Sequence, residues 1–324
     1  MTAHHRTEVS VALAVLTLGA VLAFQAPGYF AAGNLVDVSM ASVSVLVVAV
    51  GMTMVMLAGE IDISVASVFA ITGALAGALA AAGVPLALAC LAAPLVGGLL
   101  GAVNGALIAH WRIPSIVATL ATMVALRDGW RWLTQGAWVQ NLPAGFQWFG
   151  LSQPAYPVAA GAIAALVAAA AAFWLSRVAG GRAVVATGSN AEAARLAGIN
   201  VPAVKFWLFV SSGALTGLAA LLNAARFNQI PANAGVGLEM KVIAAVLVGG
   251  TAVTGGRGTM AGTILGVILL GAIGPALTFL GASAYWERAI QGAIILTAVG
   301  ADAVRARRAR GHRSGAARGV RVAA

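Results

Sequence analysis

The sequence predicts an all-α fold, a polytopic membrane helical bundle of about ten transmembrane helices. Of its 324 residues, 61% are hydrophobic and 9% are charged, whereas a soluble domain carries about a quarter charged residues. Lipid must therefore cover most of the surface. The apolar runs extend over roughly 20 residues instead of alternating over about 10, which favours helices over a β-barrel. The 40 glycines suit the close helix contacts of membrane bundles.

Turns that contain polar residues, glycine or proline divide the chain into its spans. The first span follows His4, His5 and Arg6 and resembles a signal peptide, but the amount of apolar sequence after it favours an uncleaved helix. A short polar break ending at Ser64 separates the second and third spans, and Pro114 suits the first turn of the fifth. The predicted spans are about 9–24, 40–57, 65–82, 86–108, 115–126, 158–175, 206–222, 241–253, 259–280 and 284–300.

The arginines orient the bundle. Ten spans place both termini on one side of the membrane, and seven arginines lie within 305–324. Because cations collect on the cytoplasmic side of membrane spans, we expect a single transmembrane domain, 1–304, followed by a basic cytoplasmic tail, 305–324. The 177–205 loop then also faces the cytoplasm, whereas the 130–156 segment lies outside. A tail beside the membrane accounts for the net charge of +10 without a nucleic-acid partner.

The stretch 181–201 is the long polar break between the sixth and seventh spans. Ser189 and Glu192 have the Ser-x-x-Glu spacing of a capping box, in which each side chain accepts a backbone N–H group of the first turn. Gly198 suits the end of this helix because glycine adopts the left-handed conformation without steric penalty. The residues between are mostly alanine, with Arg195 as the only cation. We expect a short water-facing helix whose small face a partner can grip.

Polar residues near membrane depth are candidates for a transport path. Glu60 and Asp62 directly follow the second span, and ionisable groups at such positions are costly and usually face a bundle interior or a water-filled cavity. They form either a gate at a discontinuous helix or an interfacial turn in which Asp62 caps the third span near Ser64. The other candidates, which either line the path or hydrogen-bond across helices, are Asn104, Thr119 and Thr122.

Aromatic residues are concentrated in the segment predicted to lie outside. Tryptophan and tyrosine collect at the membrane–water boundary because they combine an apolar body with a polar tip. We expect this segment to form a docking surface on the outer side. Its candidate residues are Trp130, Trp132, Trp138 and Trp148.

The residues do not support an enzyme. Cys90 is the only cysteine, and the four histidines show neither catalytic nor metal-ligand spacing. A phosphate-binding loop needs Gly-Lys followed by Ser or Thr, but the only lysines, Lys205 and Lys241, precede Phe and Val. We therefore expect no metal and no cofactor in this chain. If ATP and Mg²⁺ are used, a separate subunit must bind them.

Four stretches match the motifs of one family. Residues 55–67 (VMLAGEIDISVAS) are similar to its Gly-Ile-Asp-Leu-Ser-Val-Gly-Ser signature, and 103–129 to its Asn-Gly…Pro-x-Ile-x-Thr-Leu-x-Thr…Arg-Gly segment. Residues 181–205 are similar to its Gly-Asn-x-x-Ala-Ala loop, and 244–266 to its glycine-rich stretch before the ninth span. In order and spacing they resemble the permease subunits of bacterial ATP-binding-cassette (ABC) importers of the ribose/xylose/rhamnose and autoinducer-2 group. Glu60 and the tryptophan-rich segment resemble the rhamnose-like branch.

The resemblance implies a permease subunit of the bacterial cytoplasmic (inner) membrane that forms the translocation path for a monosaccharide or autoinducer-2. It implies an ABC ATPase subunit, a periplasmic sugar-binding protein and a second permease copy as partners. The ATPase would grip the coupling helix of 181–201, and the binding protein would dock on the outer tryptophans. The residues assigned to the coupling helix are Ser189, Asn190, Glu192, Ala194, Arg195 and Gly198. The alternative is an ion-coupled secondary transporter or channel that uses Glu60 and Asp62.

Overall fold

The computed structural model describes residues 3–283 and 285–300. In these residues the regular structure is helical, and β pairing is limited to an isolated bridge between Val139 and Ile230. The predicted basic tail, 305–324, lies outside the described residues. The helices are α1 Ala3–Gln25, α2 Ala32–Leu57, α3 Val65–Ala81, α4 Leu86–Ala109, α5 Ser115–Thr134, α6 Ala155–Arg177, α7 Ala179–Ser189, α8 Ala191–Leu196, α9 Val201–Ala224, α10 Leu238–Val248, α11 Met260–Phe279 and α12, residues 285–300.

The helices have the length and composition of a polytopic membrane protein. Six of those described are long and apolar enough to cross a membrane, namely α1 from Thr7, α2, α4, α6, α9 and α11. Helix α3 is apolar but shorter. Helix α10 has 11 residues, about 16 Å at 1.5 Å per residue, which is roughly half of a bilayer core. The prediction of an all-helical membrane bundle is confirmed at this level.

Several helices extend beyond the apolar runs that predicted them. Helix α5 continues past Leu126 to Thr134, and α9 begins at Val201 instead of Phe206. Helix α2 begins at Ala32, inside a segment expected to be a loop. The reason is that hydropathy marks the part of a helix that contacts apolar surroundings, whereas hydrogen bonding continues through the polar residues at its ends.

Helix α2 is the centre of the bundle. Its second half is almost fully enclosed, and Val47, Val48 and Val50 are 0% exposed. Helices α6, α9, α10 and α11 pack around it. Continuous burial explains why this helix is apolar on all sides instead of amphipathic.

Helices α4 and α9 pack closely through glycines. Gly97 and Gly101 on α4 face Gly213 and Gly217 on α9, and a Cβ atom on Gly97 would lie 3.0 Å from the Gly213 carbonyl carbon. In both helices the two glycines are four residues apart, so they lie on one face. This small-residue packing supplies van der Waals contact where lipid removes the hydrophobic driving force between helices.

The loops gather at two opposite ends of the bundle. The α8 end contains α8, the α2–α3 break, the α4–α5 turn and the α10–α11 loop. The tryptophan end contains the α5–α6 segment and the α9–α10 loop, which are joined by the Val139–Ile230 bridge and by a 2.8 Å hydrogen bond from Trp148 N to Ala225 O.

Candidate coupling and translocation sites

Asn190, not Ser189, caps α8. The Asn190 Oδ1 atom accepts hydrogen bonds from Glu192 N at 3.1 Å and from Ala193 N at 3.0 Å. Ser189 is still part of α7, and its hydroxyl donates to Val185 O at 2.8 Å. The predicted Ser189–Glu192 capping box is therefore wrong, because the chain becomes extended one residue later, at Asn190.

Glu192 pairs with Arg195 on the exposed surface of α8. The Arg195 Nη2 and Glu192 Oε1 atoms are 2.6 Å apart. The hydrogen bond and the positive charge of Arg195 lower the pKa of the Glu192 carboxyl. Glu192 therefore stays ionised near the helix N-terminus, where a negative charge is favourable.

Gly198 ends α8 as the sequence predicts. Its φ is +85°, its N–H group donates to Arg195 O at 3.0 Å, and Ile199 N donates to Ala194 O at 3.0 Å. This is the paired hydrogen bonding of a left-handed C-terminal cap. One alanine of the small face, Ala194, points inward and is 4% exposed, whereas Ala191, Ala193 and Ala197 are exposed. The large apolar residue of α8, Leu196, is 78% exposed.

Three chain breaks meet at the end of α7, just before α8, in a cluster that we call the glycine junction. It is formed by Leu57, Gly59, Gly188, Gly255 and Gly256. The Gly256 N–H group donates to Leu57 O at 2.8 Å. A Cβ atom on Gly188 would meet the Leu57 carbonyl oxygen and lie 2.7 Å from Gly256 N. The end of α7, the end of α2 and the α10–α11 loop therefore touch backbone to backbone.

An ion pair ties the α2–α3 break to α9 beside the same junction. Glu60 Oε1 contacts Lys205 Nζ, and their side chains are 13% and 23% exposed. The pair opens into a cleft of about 550 Å³ that also contains Arg112, Glu192 and Arg195. Glu60 therefore lies at the α8 end, separate from the buried residues around Asp62.

Asp62 and Ser64 belong to a buried polar network that links the α2–α3 break to α4, α5 and α9. Asp62 Oδ1 accepts from Ser64 N at 3.0 Å and from Ser64 Oγ at 2.6 Å. Ser212 Oγ on α9 lies 3.4 Å from Asp62 Oδ2, and Asn104 Nδ2 donates to Ser64 Oγ at 2.8 Å. The N-cap of α3 is Ser64, without a side-chain capping hydrogen bond, so Asp62 holds the turn before the helix and does not cap it.

Helix α5 completes this network with three hydroxyl groups. Thr122 Oγ1 donates to Asn104 Oδ1 at 2.8 Å. Thr119 Oγ1 accepts from Ile63 N at 3.1 Å, and Ser115 Oγ accepts from Ile61 N at 3.3 Å. Buried polar groups are stable when each has a partner. Thr122 Oγ1 also lies 3.1 Å from Thr119 O. The sequence-predicted residues in one hydrogen-bonded chain are thus Asp62, Ser64, Asn104, Thr119 and Thr122.

Residues of this chain should contribute to stability. Replacing Asn104 with Ala leaves the Ser64 and Thr122 hydroxyls without their inter-helix partner, so we expect a loss of about 1–3 kcal/mol. The measurement is the thermal unfolding midpoint of the detergent-purified protein. Thr17→Ala is the control, because the exposed Thr17 hydroxyl bonds only within its own helix turn, and its expected change is within about 0.5 kcal/mol. Equal midpoints for the two variants would contradict the network's role.

The four predicted tryptophans do not form one exposed surface. Trp132 and Trp138 are 76% and 51% exposed. Trp130 and Trp148 are half-buried, and each packs against a core cluster. Only the first pair is well exposed for contact with another molecule.

Sequence reasoning missed four residues of these sites. Ser115 and Ser212 join the buried network, Lys205 pairs with Glu60, and Leu196 is a large exposed apolar residue of α8. Only Leu196 carried a local signal, since it is a large apolar residue in a short polar helix. Among the described residues, no three His, Cys, Asp or Glu side chains are grouped as a metal site.

Known proteins match the chain over most of its length. The family model described as "Branched-chain amino acid transport system / permease component" matches residues 34–299. The ribose import permease protein RbsC of Escherichia coli (strain K12) is 35% identical over 295 residues, 90% of this chain and 92% of the relative.

Two further relatives show similar coverage. The autoinducer 2 import system permease protein LsrC of Yersinia pseudotuberculosis serotype O:1b (strain IP 31758) is 37% identical over 293 residues, 89% of this chain and 82% of the relative. RbsC of Haemophilus influenzae is 34% identical over 301 residues, 90% and 91% of the two chains. A comparison with solved structures gives no match. The chain belongs to the family of permease components of bacterial ABC importers.

Proposed function

We propose that this chain is the transmembrane permease subunit of an importer that carries a monosaccharide or autoinducer-2 into the cell. The named relatives supply the substrate class, since their names specify ribose import and autoinducer 2 import. The observation that carries the mechanism is the position of α8, a capped helix that directly follows the end of α7, where the glycine junction lies. The rhamnose-like branch stays a sequence prediction.

In the proposed topology α1 to α6 and α9 to α12 give ten spans in a single permease domain, 1–304. Helix α10 has 11 residues and crosses together with the loops beside it. Both termini and the α8 end face the cytoplasm, and the tryptophan end faces outward. The orientation rests on the arginines of 305–324 and on the positive-inside rule. The chain has no nucleotide-binding motif, so ATP and Mg²⁺ belong to a partner ATPase.

Helix α8 is the proposed docking element for that ATPase. Leu196 presents an apolar side chain to water, Glu192 and Arg195 flank it, and Asn190 and Gly198 fix the helix ends. Ala194 is buried, so its role in this proposal is to seat α8 on the permease rather than to contact the partner.

Motion of α8 would reach the membrane helices through the glycine junction. Gly188 is in backbone contact with Leu57 and Gly256, so α7 cannot shift without displacing α2 or the α10–α11 loop. A small displacement on one side of such a closely packed interface moves the other side as well, because packed interfaces do not deform continuously. Nucleotide-driven movement of the ATPase would in this way change the path between the helices.

The outer partners in this proposal are a periplasmic sugar-binding protein and a second permease copy. Trp132 and Trp138 are the best candidates for contact with the binding protein because they are exposed at the tryptophan end. The ion-coupled alternative has less support: Glu60 is held by Lys205, and Asp62 is held by Ser64 and Ser212.

The Glu60–Lys205 pair offers a specific prediction. Lys205→Glu places two carboxylates together in a partly buried cleft, and we expect sugar uptake to fall about tenfold, the effect of one lost charged hydrogen bond. The double variant Glu60→Lys/Lys205→Glu restores the attraction and should recover uptake. An uptake assay in cells with equal permease levels measures both. If the double variant does not recover sugar uptake, the attraction between residues 60 and 205 is not required for transport.

Isolation of the native complex tests the proposed function. The tagged permease, extracted in mild detergent from its own organism, should retain an ATPase subunit that contains a phosphate-binding loop. Sugar-loaded binding protein should then stimulate ATP hydrolysis by this complex. A permease that is stable in detergent yet travels without any ATPase would contradict the proposal.

A further inference from the structure

A polar cleft lies at the tryptophan end, between the start of α10 and the start of α12. Its volume is about 860 Å³, within the range of small-molecule sites. Four charged side chains and one amide line it: Glu239, Lys241, Glu287, Arg288 and Gln291. Neither the buried Asp62 network nor the glycine junction includes any of these residues.

One wall of the cleft is a connected set of donors and acceptors. Lys241 Nζ lies 3.0 Å from Glu287 Oε1, and Gln291 Nε2 donates to the same oxygen at 3.1 Å. The second oxygen of Glu287 packs against Gly274, where a Cβ atom would contact it. Glu287 is therefore held from three helices, α10, α11 and α12.

Glu239, which also lines the cleft, belongs to a group of buried polar atoms without hydrogen-bond partners. Glu239 is 7% exposed, and its Oε2 atom is buried without a hydrogen bond. Arg127, which lines a separate small pocket, lies 3.7 Å from Glu239 Oε1 through an Nη2 atom that makes no hydrogen bond. Trp130 Nε1, beside Arg127, is likewise buried and unpaired. Buried groups without partners are rare, and each needs an explanation such as a ligand or water.

The lining favours an uncharged, hydroxyl-rich ligand. Two carboxylates and two cations balance the charge of the cleft, so neither anions nor cations are favoured overall. Each sugar hydroxyl both donates and accepts, which matches an alternation of carboxylate, ammonium and amide groups. Charged side chains near membrane depth do not face lipid but face water-filled paths.

We propose that this cleft is a transit site for the sugar, in which Glu239 and Lys241 contact its hydroxyl groups. The inference rests on the proposed function and extends it by naming path residues. Binding there is weak, because a transport site must release its substrate as readily as it takes it up. In the proposed topology the cleft opens toward the outer side, where the binding protein delivers the sugar.

Transport in proteoliposomes tests this site. The permease is reconstituted with its ATPase, with Mg-ATP inside the vesicles and the binding protein and radiolabelled ribose outside. We expect E239Q and K241Q each to lower the sugar moved per ATP hydrolysed about tenfold, the effect of one lost charged hydrogen bond. Stimulation of ATP hydrolysis by the binding protein should persist. The matched control is D37N, whose carboxylate is 78% exposed outside the cleft.

The possible results of this experiment distinguish a failure of the transit-site proposal from a failure of the proposed importer function. Normal sugar-to-ATP ratios in both cleft variants would overturn the transit site and leave the importer function standing. A parallel loss of inserted permease and of ATP hydrolysis would also overturn the site, because it would indicate a structural role. Absence of ATP-dependent uptake of ribose, of other monosaccharides and of autoinducer-2 by the unsubstituted complex would remove the proposed function itself.

Discussion

Replacing Gly188 with Ala is expected to reduce sugar uptake more than tenfold. The new Cβ atom would meet the Leu57 carbonyl oxygen and lie 2.7 Å from Gly256 N. Both neighbours are backbone atoms, so no side-chain rotation relieves the overlap, and the end of α7 must move away from α2. Overpacking of this kind lowers the free energy of unfolding by about 1–3 kcal/mol, and the permease should still fold. The contact between α7 and α2 is displaced, however, so we expect transport to be lost. Uptake and inserted protein are measured together.

Gly161 provides the matched control for this variant. It lies in α6, and a Cβ atom there would have no other atom within 4 Å. Gly161→Ala should therefore insert normally and transport normally, with a stability gain of up to about 1 kcal/mol from helix propensity. Normal uptake by Gly188→Ala at normal expression would contradict the role of the glycine junction.

Replacing Leu196 with Asp is expected to abolish association with the ATPase without affecting membrane insertion. The side chain is 78% exposed in the permease alone, so the fold does not depend on it. In the complex, losing a buried leucine costs about 1.5–3 kcal/mol and burying an unpaired carboxylate costs more. We expect affinity to fall about 100-fold or more.

Retention of the ATPase during purification measures this effect. Leu196→Met keeps an apolar side chain of similar size and should retain the ATPase. If Leu196→Asp also retains it in full amount, α8 is not the docking element. Gly188→Ala should retain the ATPase and lose transport. Leu196→Asp therefore tests docking of the ATPase, and Gly188→Ala tests how its motion reaches the membrane helices.

Much of the fold could be predicted because membrane helices have a strong local signal. Runs of about 20 apolar residues locate a span regardless of its neighbours, and α3, α4 and α11 lie close to the predicted limits. Helix limits inside polar sequence were less predictable. Helix α5 continues through charged residues to Thr134, because backbone hydrogen bonding, and not hydropathy, determines where a helix ends.

The candidate sites were predictable as residues but not as arrangements. Polar side chains at membrane depth identified Asp62 and Asn104, yet Ser212, 150 positions from Asp62 along the chain, has no local feature that connects it to them. The predicted cap of α8 was one residue too early because Ser189 and Asn190 are both good capping residues. Ser189 still belongs to α7, so Asn190 is the cap. The inward direction of Ala194 depends on how α8 packs, which a six-residue helix cannot reveal.

The glycine junction illustrates the same limit. Each of its glycines lies in a polar break that the sequence identifies, but only the folded chain brings Gly59, Gly188 and Gly256 together. Contacts between residues far apart in sequence are set by packing of whole helices, which single-residue patterns do not encode.

The most direct test of the proposed function is to measure which energy source drives transport. Purified permease, alone or with its ATPase, is placed in liposomes, and uptake of radiolabelled ribose delivered by the binding protein is followed with and without internal Mg-ATP and with ionophores. Uptake should require both the ATPase and ATP and should persist when ion gradients are collapsed. Accumulation of sugar by the permease alone, driven by an ion gradient, would contradict a coupling role for α8.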